Sequence, residues 1–178
     1  MRTIPRPCGI VQGEVSEAPD LIEPVVGFRK WRVVADHLAS PYIPLRWDEP
    51  VVHARCFPAN RTLLFGEGWL DEPHDAPHPR CKCGVYAWHQ LPARAPVPDP
   101  GRALGVVALW GRIEVHATGM RAEHAAIRAL GVVPGLGRAY ARGMEAIAAR
   151  LGVRLVNETT LPRAALEHGA PLPRALLP

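Results

Sequence analysis

Cys81 and Cys83 are the residues of this 178-residue chain with the clearest potential for chemistry. Side chains of an extended segment point to the same side at every second position, so the C-x-C spacing places both sulfurs together. Gly84 lets the backbone bend away directly afterwards, and the positive charge of Lys82 between the two cysteines favours the thiolate form. This turn could hold a metal ion, act as a redox pair, or do neither.

Further metal-ligating residues lie on the segments that lead to this turn. A long proline-bearing loop, residues 60–80, delivers two histidines just before Cys81, and Cys56 lies on the preceding predicted strand. Structural zinc takes four tetrahedral nitrogen and sulfur ligands. The predicted zinc ligands are Cys56, His78, Cys81 and Cys83, with His74 as a substitute for His78.

Three thiolates and one histidine would close the coordination sphere, so the predicted zinc is structural and not catalytic. Two other interpretations stay open. The thiols could lie at the surface beside solvated histidines, with Cys56 a small buried hydrophobic residue. A thiolate of Cys81 or Cys83 near His78 or His89 could instead be a nucleophile.

Composition indicates an ordinary globular protein. The chain is 48% apolar with a net charge of +4, and it contains no apolar run of membrane-spanning length. Its first residues lack the apolar stretch of a signal peptide, and four cysteines without an export signal do not resemble a disulfide framework. We therefore expect a cytoplasmic protein that does not bind membranes.

Hydrophobic patterning predicts an α+β fold with a mainly antiparallel, strongly curved sheet, one clear C-terminal helix and long proline-rich loops. We expect an N-terminal arm at residues 1–24, one globular domain at 25–158 and a loosely structured tail at 159–178. Strands are predicted at 28–34, 51–57, 104–110, 112–116 and 153–156. A helix is predicted at 134–151, where apolar residues recur at steps of three and four, whereas 120–130 is ambiguous between helix and strand.

The alternation at 112–116 predicts which side chains reach the core. Ile113 and Val115 should point inward, and Arg112, Glu114 and His116 should point outward. A glycine precedes this stretch at position 111, where it would permit a bulge.

Several short motifs are spaced along the chain: GFRxW at residues 27–31, CxCGVYA at 81–87 and LWGR at 109–112, followed by His116 and the segment 119–123. Together they resemble a group of small uncharacterised proteins, mostly actinobacterial and phage-borne. The resemblance spans residues 27–130 and implies no particular activity.

Two functions of other classes are alternatives to metal binding. The order of an arginine-bearing strand, a Gly-Val-Tyr-Ala element and a strand leading to a glutamate is similar to the NAD-binding elements of ADP-ribosyltransferases. That similarity makes Arg32, Tyr86 and Glu114 candidate catalytic residues, although the chain has no Glu-x-Glu motif. Such an argument from element order is an analogy.

The third alternative is a nucleic-acid-binding module. Residues 121–154 hold six arginines against two glutamates, and Arg138, Arg142 and Arg150 would share the outer face of the predicted helix. Such a face could contact phosphates. A solvated outer face explains the same pattern, since no recognised DNA- or RNA-binding motif accompanies it.

Overall fold

The computed structural model describes residues 16–17, 23–41, 43, 45–56, 72–92 and 99–178. Ten strands and two α-helices lie within these ranges. The strands are β1 (Ser16–Glu17), β2 (Val25–Val34), β3 (His37–Ala39), β4 (Arg46–Trp47), β5 (Val51–His53), β6 (Val85–Trp88), β7 (Arg102–His116), β8 (Gly119–Val132), β9 (Arg154–Asn157) and β10 (Ala170–Pro171). The helices are α1 (Arg138–Leu151) and α2 (Leu161–Leu166).

All ten strands belong to one sheet, built around the β7–β8 hairpin. β2 pairs with β7, and β6 pairs with both β2 and β8, so these four strands form a closed circuit of pairings. Only the short partners β9 and β10 run parallel to their neighbours. The predicted mixed fold with a mostly antiparallel sheet is therefore confirmed, whereas its strong curvature and its proline-rich loops stay predictions.

The larger apolar core lies between the sheet and α1. Trp31 and Trp47 are fully buried there and meet edge to face, with ring centroids 5.4 Å apart. The buried residues of α1 recur at helical spacing, namely Tyr140, Met144, Ile147, Ala148 and Leu151. The helix ends as predicted, because Gly152 takes the left-handed conformation that closes a helix, but it begins at Arg138 and not at residue 134.

A smaller apolar cluster covers the opposite face of β2 and β7. Leu161, Ala164 and Ala165 of α2 pack there against Phe28 and Val106. β10 also pairs with the first residues of β2. Residues 159–178 thus contain regular structure, and the division of the chain into arm, domain and tail stays a prediction, since most of residues 1–24 lies outside the described ranges.

The predicted solvent exposure of Glu114 and His116 is wrong. Both side chains are buried, with 2% and 5% exposure, because this part of β7 is covered on both faces. Ile113 and Val115 face the core as expected, while the segment that carries Cys81 lies over the other face. The ambiguous residues 120–130 belong to β8, where small side chains such as Ala122 and Ala125 are fully buried in the main core.

Candidate metal centre

Three chain segments bring cysteine and histidine side chains together. Cys56 lies just after β5, Cys81 and Cys83 lie just before β6, and His74 lies on the segment that leads to them. Cys81 and Cys83 are buried, and Cys56 and His74 are partly exposed. The three cysteines pack with Ala76 and Ala54 in a small cluster of their own, and Ala54 also packs against the main core.

The four ligand atoms lie within 4.8 Å of one another. The Sγ atoms of Cys56 and Cys81 are 3.6 Å apart, and Cys83 Sγ is 3.4 Å from His74 Nε2. Tetrahedral zinc with ordinary bond lengths sets its ligand atoms about 3.5–3.8 Å apart, whereas a disulfide requires about 2.05 Å. These separations fit a shared metal ion, and the three cysteines of the described ranges form no disulfide.

The hydrogen bonds of His74 leave Nε2 as its ligand atom. Its Nδ1 is 2.6 Å from the backbone oxygen of Glu72. A carbonyl oxygen only accepts, so Nδ1 carries the proton and the lone pair of Nε2 faces Cys83. A histidine that ligates a metal commonly donates its other ring N–H in this way.

His78, the preferred nitrogen ligand in the sequence analysis, does not belong to this group. Its Nδ1 accepts the backbone N–H of Arg80 at 3.3 Å, and its ring packs against that of His74 with centroids 4.9 Å apart. The geometry therefore favours the substitute, His74. The other three predicted ligands are the ones that the structure groups together.

The thiols of the cluster are hard to ionise without a cation. Burial, with a smaller effect from Cys81, raises the pKa of Cys56 to about 11. Burial also raises the pKa of Cys83, and the neighbouring thiols Cys81 and Cys56 add to the shift. A nucleophilic cysteine needs a lowered pKa, whereas burial shifts these thiols in the opposite direction, the one that a bound metal ion reverses when it deprotonates its ligands.

The backbone of the C-x-C turn is held by side chains from the sheet. Arg121 of β8 donates to the carbonyl oxygens of Cys81, Cys83 and His78. Tyr86 Oη donates to the Lys82 oxygen at 2.8 Å. We call residues 78–83 together with Arg121 the arginine-clamped turn.

Arg121 is itself fixed by Glu114, directly opposite on β7. The two side chains form an ion pair that is almost fully buried, and Nε of Arg121 lies 2.7 Å from Glu114 Oε2. Close packing extends to Gly84, whose φ of 121° is in the glycine-favouring region and where an added Cβ would lie 3.1 Å from Arg121 Cβ. Sequence reasoning gave Arg121 no role, although a two-residue hairpin turn at 117–118 places it opposite Glu114.

Comparison of the chain with protein families, curated proteins and solved structures found no match. Within the ranges that the structure describes, no helix is long and apolar enough to cross a membrane.

The three residues suggested for ADP-ribosyl transfer lie in two separate parts of the sheet. Tyr86 and Glu114 lie opposite Arg121 on its two neighbouring strands and support the arginine-clamped turn. Arg32 pairs with Arg102, at the far end of β7 from Glu114, and its Nε lies 3.4 Å from the Ser40 oxygen. Their catalytic roles stay predictions that no contact supports.

The arginines suggested for nucleic-acid binding are exposed on α1. Arg150 donates to the backbone oxygens of Asp36 and Asp48, so its guanidinium ties the helix to neighbouring loops. Arg138 and Arg142 lie on the same helix. Binding of nucleic acid through these residues stays a prediction.

Proposed function

We propose that this chain is a small metal-binding domain in which Cys56, His74, Cys81 and Cys83 hold one structural Zn²⁺ ion. The observation that carries the proposal is the convergence of three sulfurs and one imidazole nitrogen within 4.8 Å, with the histidine tautomer set for ligation. Such a donor set suits zinc, which favours thiolate and imidazole ligands in tetrahedral geometry.

The proposed ion would be structural because all four positions around it are taken by the protein. No position is then left for a water molecule or a substrate, which a catalytic zinc requires. A cytoplasmic location, also part of the proposal, is one where disulfides are rare and such thiols stay available for metal.

The proposed role of the ion is to join segments that have little apolar contact of their own. Among the residues that the structure describes, the buried members of the local cluster are Ala76, Cys81 and Cys83, with Ala54 and Cys56 packed against them. An ion bound to Cys56 and Cys83 would link the end of β5 to the start of β6. Metal-binding energy would there replace the apolar packing that the cluster lacks.

The deciding experiment is elemental analysis of the untagged protein after zinc loading and gel filtration. We expect about one zinc per chain in the wild type and loss of that zinc in Cys81→Ser and Cys83→Ser, both with reduced thermal stability. Cys8→Ser, outside the described residues, is the control and should retain both metal and stability. Absence of zinc from the wild type, or full zinc content in Cys83→Ser, would refute the proposal.

Removal of the ion should also destabilise the wild type. A chelator should lower its melting temperature, and zinc added back should restore it, because an ion that binds only the folded chain stabilises it by mass action. Cys83→Ser should respond far less to either treatment, because it keeps only weakly binding sites. An equal response in both proteins would mean that the chelator acts elsewhere.

A further inference from the structure

A pair of histidines lies on the neighbouring part of the sheet, apart from the four residues described above. His53 of β5 and His124 of β8 are directly opposite each other, and their Nδ1 atoms are 2.7 Å apart. The proposed zinc site uses neither residue, and the side chain of His53 is exposed to solvent.

The backbone sets this pairing. The N–H of Ala54 donates to the Glu123 oxygen at 2.6 Å, and that of Ile127 donates to the Pro50 oxygen at 2.8 Å. This pattern makes His53 and His124 a non-hydrogen-bonded pair, the type of antiparallel pair whose side chains are closest. The two imidazoles are therefore placed together by strand register.

A carboxylate lies beside the outer ring nitrogen of His124. Oε1 of Glu123 lies 3.3 Å from His124 Nε2, and Oε2 of the same carboxylate accepts the backbone N–H of Arg112 at 3.2 Å. A proton on Nε2 of His124 would be stabilised by this carboxylate, and Nδ1 would then present its lone pair to His53. A carboxylate on the far nitrogen is the usual support of a metal-ligating histidine.

The chain also makes room for this arrangement at Gly111. Its φ of 75° lies in the glycine-favouring region, and an added Cβ would be 2.9 Å from both Glu123 Oε2 and His124 Cδ2. The ring of Trp110 packs on the other side of His124, with centroids 5.6 Å apart. Both neighbours limit the positions open to the His124 ring.

We propose that His53 and His124 form a second, solvent-open site for a divalent late transition-metal ion such as Zn²⁺, Ni²⁺ or Cu²⁺. Imidazole nitrogen suits these metals. Two nitrogens bound to one tetrahedral zinc are about 3.3 Å apart, so the Nδ1 atoms, 2.7 Å apart here, would separate by roughly half an ångström on binding. Without metal, the Nδ1–H of His53 donates to His124. On binding, that proton moves to the exposed Nε2 of His53, and water fills the remaining positions.

The test is zinc binding by the full-length chain in competition with a chromophoric chelator. His53→Ala and His124→Ala should each lose one weakly held equivalent, and Glu123→Ala should weaken the same equivalent about tenfold. His37→Ala removes a histidine from a distant strand and is the matched control, which should bind zinc as the wild type does. Equal zinc binding by His53→Ala, His124→Ala and His37→Ala would overturn the proposal.

A second readout identifies the ligand atoms and separates the two metal sites. In nitrogen-15 spectra of the imidazoles, zinc should shift the Nδ1 signals of His53 and His124, and a shift of their Nε2 signals alone would also overturn the proposal. The same comparison in the Cys83→Ser background should give the same loss on removing His124. If the cysteine site binds no zinc, the loss caused by removing His124 should still be observed. The two proposals can therefore be refuted independently.

Discussion

The Nδ1–H of His74 donates to the Glu72 backbone oxygen, and this bond decides which nitrogen faces Cys83. In His78 the equivalent nitrogen accepts a backbone N–H, so in neutral His78 the proton lies on Nε2. Two histidines four residues apart thus have opposite tautomers. Their spacing from Cys81 does not reveal this difference, which arises from backbone contacts.

The two histidines should therefore respond differently to substitution. We expect His74→Ala to weaken zinc binding at least about tenfold, because one of four ligands is lost. His78→Ala should change it far less, since only a ring contact is removed. Chelator competition measures the zinc affinity of both variants. A larger loss of affinity in His78→Ala would show that His78, and not His74, is the nitrogen ligand.

Zinc binding should release protons at neutral pH. The pKa of Cys56 is about 11 and that of Cys83 is also raised, so both thiols are protonated at pH 7 before metal arrives and ionised afterwards. Affinity should accordingly rise with pH through this range. Calorimetry in buffers of different ionisation enthalpy counts the protons, and zinc uptake without proton release would contradict thiolate ligation.

At the scale of elements, the β7–β8 hairpin carries the support of the metal centre. Its two-residue turn places Glu114 opposite Arg121, and Arg121 then reaches three carbonyl oxygens of the arginine-clamped turn. The hairpin whose strand β8 pairs directly with β6, the strand that follows the C-x-C motif, thus fixes the backbone from which the sulfurs project. The stability of this support depends on one buried ion pair, Glu114–Arg121.

Substitution of Arg121 should strongly destabilise the folded chain for that reason. Arg121→Met leaves Glu114 as a buried charge without its partner, which typically costs about 3–5 kcal/mol in the free energy of unfolding. Arg128→Met, at an exposed position of the same strand, is the matched control and should change stability by less than about 0.5 kcal/mol. Urea unfolding measures both.

A double variant separates charge burial from support of the turn. Glu114→Leu with Arg121→Met removes both charges and should recover part of the lost stability. Zinc affinity should be lower than in the wild type in both Arg121→Met and the double variant, because the three carbonyl oxygens lack their donor in each. Recovery of stability together with full zinc affinity would show that Arg121 does not support the site.

The sequence predicted elements better than it predicted the contacts between them. Periodicity located β2, β5, β7, β9 and α1, whereas residue types and spacing led to the grouping of Cys56 with Cys81 and Cys83. Alternation failed at Glu114 because it assumes that one face of a strand meets water, whereas a loop covers this face of β7. β8 was ambiguous because alanine, which is buried at several positions of this strand, is also a strong helix former.

At the scale of the whole molecule, burial of ionisable groups makes stability depend on pH. Burial, followed by the charges of Arg121 and His89, lowers the pKa of His116 below its usual value of 6.5. Neither of its ring nitrogens has a hydrogen-bond partner among the described residues. Protonation of this ring is therefore unfavourable in the folded chain.

The sign of the resulting pH dependence follows from proton counts. Below pH 6.5 the unfolded chain protonates His116 before the folded chain does, so stability should fall as pH decreases from 6.5 toward the lowered pKa. His116→Leu should reduce this loss. Thermal melts of both proteins across that range test it, and an unchanged pH dependence in the variant would assign the effect to other groups.

The buried Glu114–Arg121 pair also restricts how this protein can change over evolutionary time. Replacement of either residue alone leaves an uncompensated buried charge. The two positions should therefore vary together among related chains, and single replacements should be rare. Arg121 also serves the carbonyl oxygens of the cysteine turn. Lineages that abandon Cys81 and Cys83 are therefore the ones in which we expect both charges to be exchanged for apolar residues.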